Sequence, residues 1–304
     1  MGFETAEVLR GCFCCRFPDL MRSARELVGR VRPEVIIAEP VGSCTDLQAT
    51  VIAPLKIIHP NEFTVAPLIV LVDSSRLFCG DLDSKSIGAY LRKCQIEEGE
   101  YIVLSKTDML SKSRLEDVKA AVRMLNPTAE LIEYSALNGQ GFESIVELVT
   151  SDRKSAGTPV QVDYDIYADA EAELGWYNGQ VSFRAPRLDS YDLAARILRG
   201  VAGRYDPMDI AHIKIMLSSH SNALKVSAVC DHVSTDAAKG SRYAEGEVKL
   251  TINARIVSSP DLLRTAVREA VCAAMKALRV QEYDLEDDCY SPGRPNRTYR
   301  MTGS

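Results

Sequence analysis

The amino-acid sequence predicts a doubly wound α/β domain, built on a parallel sheet, followed by a smaller α+β domain. In the first half of the chain, short and mostly apolar runs alternate with amphipathic stretches, as strands and helices do around a parallel sheet covered on both faces. In the second half, the strand-like segments alternate apolar with polar residues, which is typical of an antiparallel sheet. A polar stretch, SDRKSAGTP at 151–159, lies between the two halves.

Composition limits the class of protein. With 304 residues, 46% of them apolar, and a net charge of −6, the chain is long enough for about two globular domains. It has no block of Lys and Arg that would bind nucleic acid, and its longest clean apolar run, 66–72, is too short to span a bilayer. Nine cysteines without an apolar leader favour a reducing compartment. We therefore expect a cytoplasmic protein whose partners are neither nucleic acid nor membrane.

The first domain is assigned to residues 1–150. Its predicted strands are EVIIAEP (34–40), APLIVLVD (66–73), EYIVLSKTD (100–108) and AELIEYSA (129–136). Helices are predicted at 44–57, 84–95, 111–125 and 141–150. Because the carboxyl ends of parallel strands meet at one edge of a sheet, functional loops are expected at these ends.

Residues 151–162 are assigned to a linker and 163–304 to the second domain. Its predicted strands are 179–186, 211–217, 223–232 and 247–257, and its predicted helices are 190–205 and 259–279. Ser259 suits the N-cap of the last helix and Pro260 suits its first turn. The order βαβββα indicates an antiparallel sheet, and the segment from Cys289 onward is predicted to be irregular.

The segment EPVG, Glu39 to Gly42, stands at the end of the first predicted strand. Glu39 can hold Mg²⁺ through water, and the amide of Gly42 can approach a terminal phosphate without a side chain in the way. An ordinary turn between a strand and a helix is an equally good interpretation.

Two further segments follow later strands. In SKTD, which begins at Ser105, the stem of Lys106 can lie over a purine while Asp108 accepts hydrogen bonds from guanine N1 and N2. The alternative is that Asp108 caps the following helix. In SAL, backbone amides at Ser135 and Ala136 can reach the guanine O6. The segments EPVG, SKTD and SAL occur in this order, each at the end of a predicted strand. Together they predict the latter part of a GTPase domain.

With GCFCC at 11–15, these motifs resemble the metal-handling GTPases of the CobW/HypB/UreG group, and above all CobW-like proteins, whose hallmark is GCxCC. The resemblance covers about residues 3–150. It implies a P-loop GTPase fold, binding and slow hydrolysis of GTP with Mg²⁺, and delivery of Zn²⁺ or Co²⁺ to a client. Matched motif by motif, it implies metal binding by Cys12, Cys14 and Cys15, a catalytic switch at Glu39 and Gly42, and guanine recognition by Lys106 and Asp108 beside Ser135 and Ala136. Ser105 departs from the family, where Asn or Thr is usual.

The segment CYSPGRPNRTYR is similar to the end of CobW-like proteins associated with corrinoid methyltransferase systems. This similarity implies a client metalloprotein, or a protein of a corrinoid or cobalamin system, as the partner. The second domain and the segment after it are the expected contact surface.

The cysteines have a physical explanation as metal ligands. Thiolates bind Zn²⁺ at about 2.3 Å, and three of them in a turn that begins with glycine can converge on one ion. Three ligands leave a position open for exchange, and Cys44 is a candidate fourth ligand that would join the metal to the switch. Cys44 can also be an ordinary buried cysteine. Redox chemistry and inert packing stay open as alternatives for the triplet.

The motif GxxxxGK[ST], which cradles phosphates in GTPases, does not occur in the sequence. In the family it precedes GCxCC, so we expect the first strand and Walker A segment to be missing here and another polypeptide to supply them. A misplaced start, a split gene and actual loss are three possible origins. The leading interpretation is a GTP-dependent metal chaperone; the alternative is a non-hydrolytic metal-binding or scaffold protein that has lost GTPase activity, and a redox protein comes third.

Overall fold

The computed structural model describes residues 3–8, 11–78, 82, 87–229, 232–294 and 296–302. The chain divides into two compact units, the first formed by Met1–Ala170 with Pro295–Ser304 and the second by Glu171–Arg294. The first unit thus extends beyond the predicted linker at 151–162 and takes in the last residues of the sequence. In the part of the chain that the structure describes, no helix has both the length and the apolar character that crossing a membrane requires.

The first unit contains a parallel three-stranded sheet. Its strands are β1 (Ile69–Asp73), β2 (Tyr101–Ser105) and β3 (Glu130–Glu133), in the spatial order β1-β2-β3. The middle strand is buried on both faces, which explains its continuous apolar run, and Asp73 pairs with Ser105 at the carboxyl edge. These three strands and the α/β class of this unit are confirmed.

The first unit also contains helices, some of which share a core with this sheet. They are α1 (Phe17–Val31), α2 (Ala53–Ile58), α3 (Ser74–Phe78), α4 (Ile87–Glu98), α5 (Lys112–Leu125), α6 (Phe142–Thr150) and α7 (Tyr164–Glu173). A π-helical turn, Gln48–Ile52, runs directly into α2. The helix α1 was not predicted, although Pro18 in the first turn and Asp19 after it are ordinary helix-start signals.

The predicted strand at 34–40 is wrong. This segment contains neither helix nor strand, and Ile37 is 78% exposed. The β-branched residues there favour an extended chain, but a strand also needs a hydrogen-bonded neighbour. Within the described residues, no ladder joins this segment to β1 or to any other strand.

The second unit is a six-stranded antiparallel sheet with two helices. Its elements are β4 (Leu174–Asp189), α8 (Ser190–Ala202), β5 (Ile210–Ser219), β6 (Asn222–Val229), β7 (His232–Gly240), β8 (Tyr243–Val257), α9 (Pro260–Ala277) and β9 (Tyr283–Tyr290), and the strands lie in the order β7-β6-β5-β8-β4-β9. Apolar residues of α8 and α9, such as Ile197 and Val267, share one core with the sheet. The predicted α+β class is confirmed, and Ser259 caps α9 as predicted.

Two strands of this sheet were not predicted. The predicted strand 223–232 corresponds to β6, which extends to Val229, and β7 follows it; Cys230 lies outside the described residues. The strand β9 has the sequence YDLEDDCY, whose acidic residues are depleted in strands. It forms because eight of its residues pair with β4, and it overlaps the start of the segment that was predicted to be irregular.

Glycine is required at one turn of the first unit. Gly141 has φ +73°, and a Cβ there would overlap the carbonyl oxygen of Glu133. Gly139 has φ +80° but nothing within 4 Å of its Cβ position, so it is a matched control. We expect Gly139→Ala to cost about 1 kcal/mol of stability from the left-handed backbone alone, and Gly141→Ala to cost at least about 2 kcal/mol more because the backbone must move. Urea denaturation followed by circular dichroism measures both, and equal losses would contradict the clash.

Candidate metal centre and nucleotide site

Three of the predicted metal cysteines lie in one tight turn before α1. The backbone N–H groups of Cys15 and Arg16 both donate to the carbonyl oxygen of Cys12, at 3.1 and 2.9 Å. The Sγ atom of Cys14 is 3.4 Å from that of Cys12 and 3.6 Å from that of Cys15. The turn therefore brings the sulfur atom of Cys14 close to those of Cys12 and Cys15.

The fourth predicted ligand reaches the same place from a different segment. The sulfur atoms of Cys12, Cys14 and Cys44 all lie within 4.8 Å of one another, and the structure pairs Cys12 with Cys44 as a disulfide. Cys14 and Cys44 are each only 3% exposed. The structure thus brings Cys12, Cys14 and Cys44 together from two segments of the chain, and Cys15 lies beside Cys14.

This donor set fits a thiophilic metal ion. Four thiolates at about 2.3 Å from Zn²⁺ in a tetrahedron lie about 3.8 Å from one another, close to the separations around Cys14. Sulfur ligands favour Zn²⁺ and related soft ions over Mg²⁺. Metal binding requires thiolates, so Cys12 and Cys44 must be reduced for the site to load. The neighbouring Cys15 thiol, with burial, raises the pKa of Cys14, so an ion has to displace the proton of Cys14 as it binds.

The loop that carries Gly42 and Cys44 is fixed to α4. The side-chain amide of Gln95 donates to the carbonyl oxygens of Gly42 and Cys44, at 2.9 and 2.8 Å. The backbone of Cys44 donates to Val41 at 2.8 Å, which closes the turn. Gly42 and Cys44 therefore belong to one held turn, whereas the side chain of Glu39 is exposed on the irregular segment before it. The catalytic role of Glu39 and Gly42 stays a prediction.

The predicted guanine-binding residues meet at the carboxyl edge of the sheet. Ser135, which is fully buried, donates its hydroxyl to Asp108 Oδ1 at 2.5 Å. The same hydroxyl accepts from the backbone N–H groups of Leu137 and Asn138 at 3.2 and 3.4 Å. Ala136, which is exposed, is one of the residues of this turn. The arrangement fixes the Asp108 carboxylate through one oxygen, as a reader of guanine N–H groups requires.

Lys106 and Ser105 are tied to β1. Lys106 adopts a left-handed backbone, φ +60°, and its ammonium group lies 2.7 Å from Asp73 Oδ2. Ser105 donates to the carbonyl oxygen of Val72 at 2.9 Å, so the shorter side chain at this position still anchors the loop.

A protein-family model matches the part of the chain that contains most of these motifs. The model of the CobW/HypB/UreG nucleotide-binding domain matches residues 2–133, which contain the cysteine turn, the Gly42 loop and the SKTD segment. Residues 2–133, less than half of the chain, are called the CobW-type domain here after this match.

Similarity to solved structures and to curated proteins is weak or lacking over the chain as a whole. Among solved structures, a Zn(II)-bound YjiA GTPase from E. coli matches with 14% identity and a TM-score of 0.32, covering 87% of this chain and 77% of that chain. A hydantoinase/carbamoylase-family amidase from Burkholderia multivorans matches with 12% identity and a TM-score of 0.28, covering 53% of this chain and 42% of that chain. No curated protein matches the chain. Structural matches with TM-scores this low indicate neither an activity nor a ligand for this chain.

Asp73 is a residue of the CobW-type domain that the sequence analysis missed. Besides Lys106 it accepts hydrogen bonds from the backbone and hydroxyl of Ser75, at 3.0 and 2.6 Å. Burial opposes its ionisation, but the hydrogen bonds from Lys106 and Ser75 prevail and lower its pKa. An aspartate that closes the apolar run of β1 was the available signal.

A buried acid supports the loop that follows Cys44. Glu98, at the end of α4, accepts hydrogen bonds from the Thr45 hydroxyl and the Gln48 backbone, both at 3.1 Å. It is 3% exposed, and burial raises its pKa to about 7, with a further contribution from the Asp46 charge. Thus Glu98 changes its ionisation within the physiological range.

The pH dependence of stability should therefore carry a contribution from Glu98. Because its pKa is higher in the folded than in the unfolded chain, the stabilisation is complete below about pH 4.5 and is lost as the pH rises through about 7. We expect the free energy of unfolding of the parent to fall relative to Glu98→Gln, by up to about 3 kcal/mol, between pH 5 and 8. Urea denaturation across this range measures the difference, and parallel pH profiles would contradict it.

Proposed function

We propose that the protein is a GTP-dependent metal chaperone that carries Zn²⁺ or Co²⁺ as cargo on Cys12, Cys14, Cys15 and Cys44. The observation that carries the proposal is that the sulfur atoms of Cys12, Cys14 and Cys44 converge from two separate segments of the CobW-type domain, with Cys15 beside Cys14. A site made of thiolates supports a reducing compartment, such as the cytoplasm, as the proposed location.

The cysteine arrangement suits loading and release. Cys12, Cys14 and Cys44 are close enough to share one ion, and Cys15, 3.6 Å from Cys14, is a further sulfur that can replace one of them. Exchange between three and four thiolates would let a client ligand enter without full dissociation of the ion. A closed four-thiolate structural site would not offer this route.

Nucleotide control is proposed to act through the turn from Gly42 to Cys44. GTP with Mg²⁺ would supply a terminal phosphate whose contacts change on hydrolysis. The Gly42 amide can approach that phosphate, and the same turn, held by Gln95, carries Cys44. A shift of this turn would therefore move one metal ligand relative to the other three.

Guanine selection is proposed to rest on two residues. Asp108, whose carboxylate is held by Ser135, would accept hydrogen bonds from the base, and the stem of Lys106 would lie over the base. Ser105 anchors the loop and Ala136 contributes to the wall near the guanine O6. The charge-assisted hydrogen bonds of Asp108 would be the main source of discrimination against adenine.

Two partners are proposed. A polypeptide with GxxxxGK[ST] would supply the phosphate cradle and a strand beside β1, which lies at one edge of the three-stranded sheet. A client, a metalloprotein or a protein of a corrinoid system, would receive the ion. The alternative function, metal binding or scaffolding without hydrolysis, needs only the cysteine cluster.

A titration of the reduced chain with Co²⁺, with and without GTP, tests the proposal. We expect about one Co²⁺ per chain, with thiolate-to-cobalt charge-transfer absorption, and an affinity that GTP changes. The chain could bind Co²⁺ with an affinity that changes neither with GTP alone nor with GTP and a polypeptide that has GxxxxGK[ST]. That result would favour the non-hydrolytic alternative. Lack of Co²⁺ and Zn²⁺ binding by the reduced chain would contradict both.

A further inference from the structure

Residues 296–302, here called the strap, lie on the first unit against both cysteine-bearing segments. The backbone N–H of Thr298 donates to the carbonyl oxygen of Cys14 at 2.8 Å, and its hydroxyl donates to that of Cys15 at 3.3 Å. The backbone N–H of Met301 donates to Ala49, five residues after Cys44, at 2.9 Å. Main-chain hydrogen bonds thus join the strap to each segment.

The strap also places a cation on a buried carboxylate beside Cys44. Asp46 is fully buried and has a left-handed backbone, φ +63°. Arg300 donates to it from Nε at 2.8 Å and from Nη2 at 3.5 Å, and the Tyr164 hydroxyl donates to Oδ2 at 2.5 Å. Arg300 also donates to the Val160 carbonyl oxygen at 3.2 Å. A buried carboxylate needs such a partner, so the conformation of Asp46 depends on the strap.

Ring contacts anchor the strap just before Arg300. The ring of Tyr299 packs edge-on against Phe17, the first residue of α1, with 5.3 Å between ring centroids. The guanidinium of Arg297 lies 3.7 Å from the centre of the Tyr164 ring. Phe17 follows the cysteine turn by two residues, so this contact holds the same turn that Thr298 binds.

We propose that the strap holds the cysteine turn and the Cys44 loop in the arrangement that binds metal, with Arg300 as the positioning residue. The inference rests on the proposed metal function. The two cysteine segments belong to no sheet, and their separation in the chain leaves their mutual position to tertiary contacts. The strap is bonded to both, and Arg300 neutralises the buried charge two residues after Cys44. Metal affinity therefore depends on residues about 250 positions away from the ligands.

The test compares Arg300→Ala with the parent in two measurements on the full chain. In the reduced, metal-free protein, we expect the buried Cys14 to react with iodoacetamide about tenfold faster in the variant, as followed by peptide mass spectrometry. In a Co²⁺ titration, we expect the affinity to fall about 10- to 100-fold with the stoichiometry unchanged. Arg300→Lys should keep part of the affinity. Arg204→Ala is the matched control, since Arg204 pairs with exposed Glu269 in the second unit, and it should change neither measurement.

A second variant covers the case in which Arg300→Ala does not fold. Thr298→Pro removes the N–H that binds the Cys14 carbonyl and leaves the Arg300 pair in place, and it should also speed alkylation of Cys14. Parental alkylation rates and Co²⁺ affinity in the folded variants would overturn the role of the strap. If the parent chain binds no metal, the proposed function fails by itself, while the alkylation rates still decide whether the strap holds the cysteine turn.

Discussion

Replacing Cys12, Cys14 and Cys15 together by serine should lower the affinity for Co²⁺ or Zn²⁺ at least about a thousandfold, because four thiolates share a binding free energy of about 10–16 kcal/mol. Serine keeps the size of cysteine, so the turn before α1 should survive while its ligands are lost. Competition with a chromophoric chelator, in the presence of a reductant, measures the affinity. The reductant is essential, because the disulfide between Cys12 and Cys44 removes two ligands.

Single variants separate the metal site from ordinary packing. Cys44→Ser should weaken binding and shift the Co²⁺ absorption if Cys44 is the fourth ligand, whereas a packing role would affect only stability. Cys272→Ser, at an exposed position of α9 in the second unit, is the control and should bind as the parent does. Equal affinity in the triple variant and the parent would place the metal elsewhere.

The sequence predicted those parts of the fold that local patterns determine. The strand β2 is apolar throughout because both of its faces are buried, and Ser111 and Ser259 begin α5 and α9 as N-caps. The segment 34–40 has strand propensity but no hydrogen-bonded neighbour within the described residues, and propensity cannot supply one. The strand β9 shows the reverse case, since its pairing with β4 prevails over an acidic composition.

The candidate site, too, could be predicted from the sequence only in part. Motif order was enough to predict that Asp108 and Ser135 would lie at one sheet edge, because parallel strands bring their carboxyl ends together. The pairing of Asp46 with Arg300 could not be predicted, since it joins residues 254 positions apart that no sequence pattern relates to each other. A charged residue that the fold buries completely is visible only once tertiary packing is known.

Replacing Asp108 by asparagine should remove the preference for guanine nucleotides. The aspartate carboxylate can accept from both N1 and N2 of guanine, whereas an amide places a donor where one acceptor is needed. We expect GTP affinity to fall about 10- to 100-fold, as the loss of charge-assisted hydrogen bonds predicts. Xanthosine triphosphate carries an oxygen in place of the N2 amine, so its affinity should rise relative to GTP in Asp108→Asn. Competition among GTP, ATP and xanthosine triphosphate gives the ratios.

These ratios are to be measured both on residues 1–304 and in the presence of a polypeptide that carries GxxxxGK[ST]. Amides and a lysine around the phosphates supply most nucleotide affinity in P-loop proteins, so the cradle should raise the affinity for every triphosphate while Asp108 sets the ratio between bases. Asp117→Asn, at an exposed position of α5, is the matched control and should keep the parental preference for GTP. An unchanged preference for GTP in Asp108→Asn would mean that the Asp108–Ser135 pair only caps the turn before α5, and guanine recognition would then have to lie elsewhere.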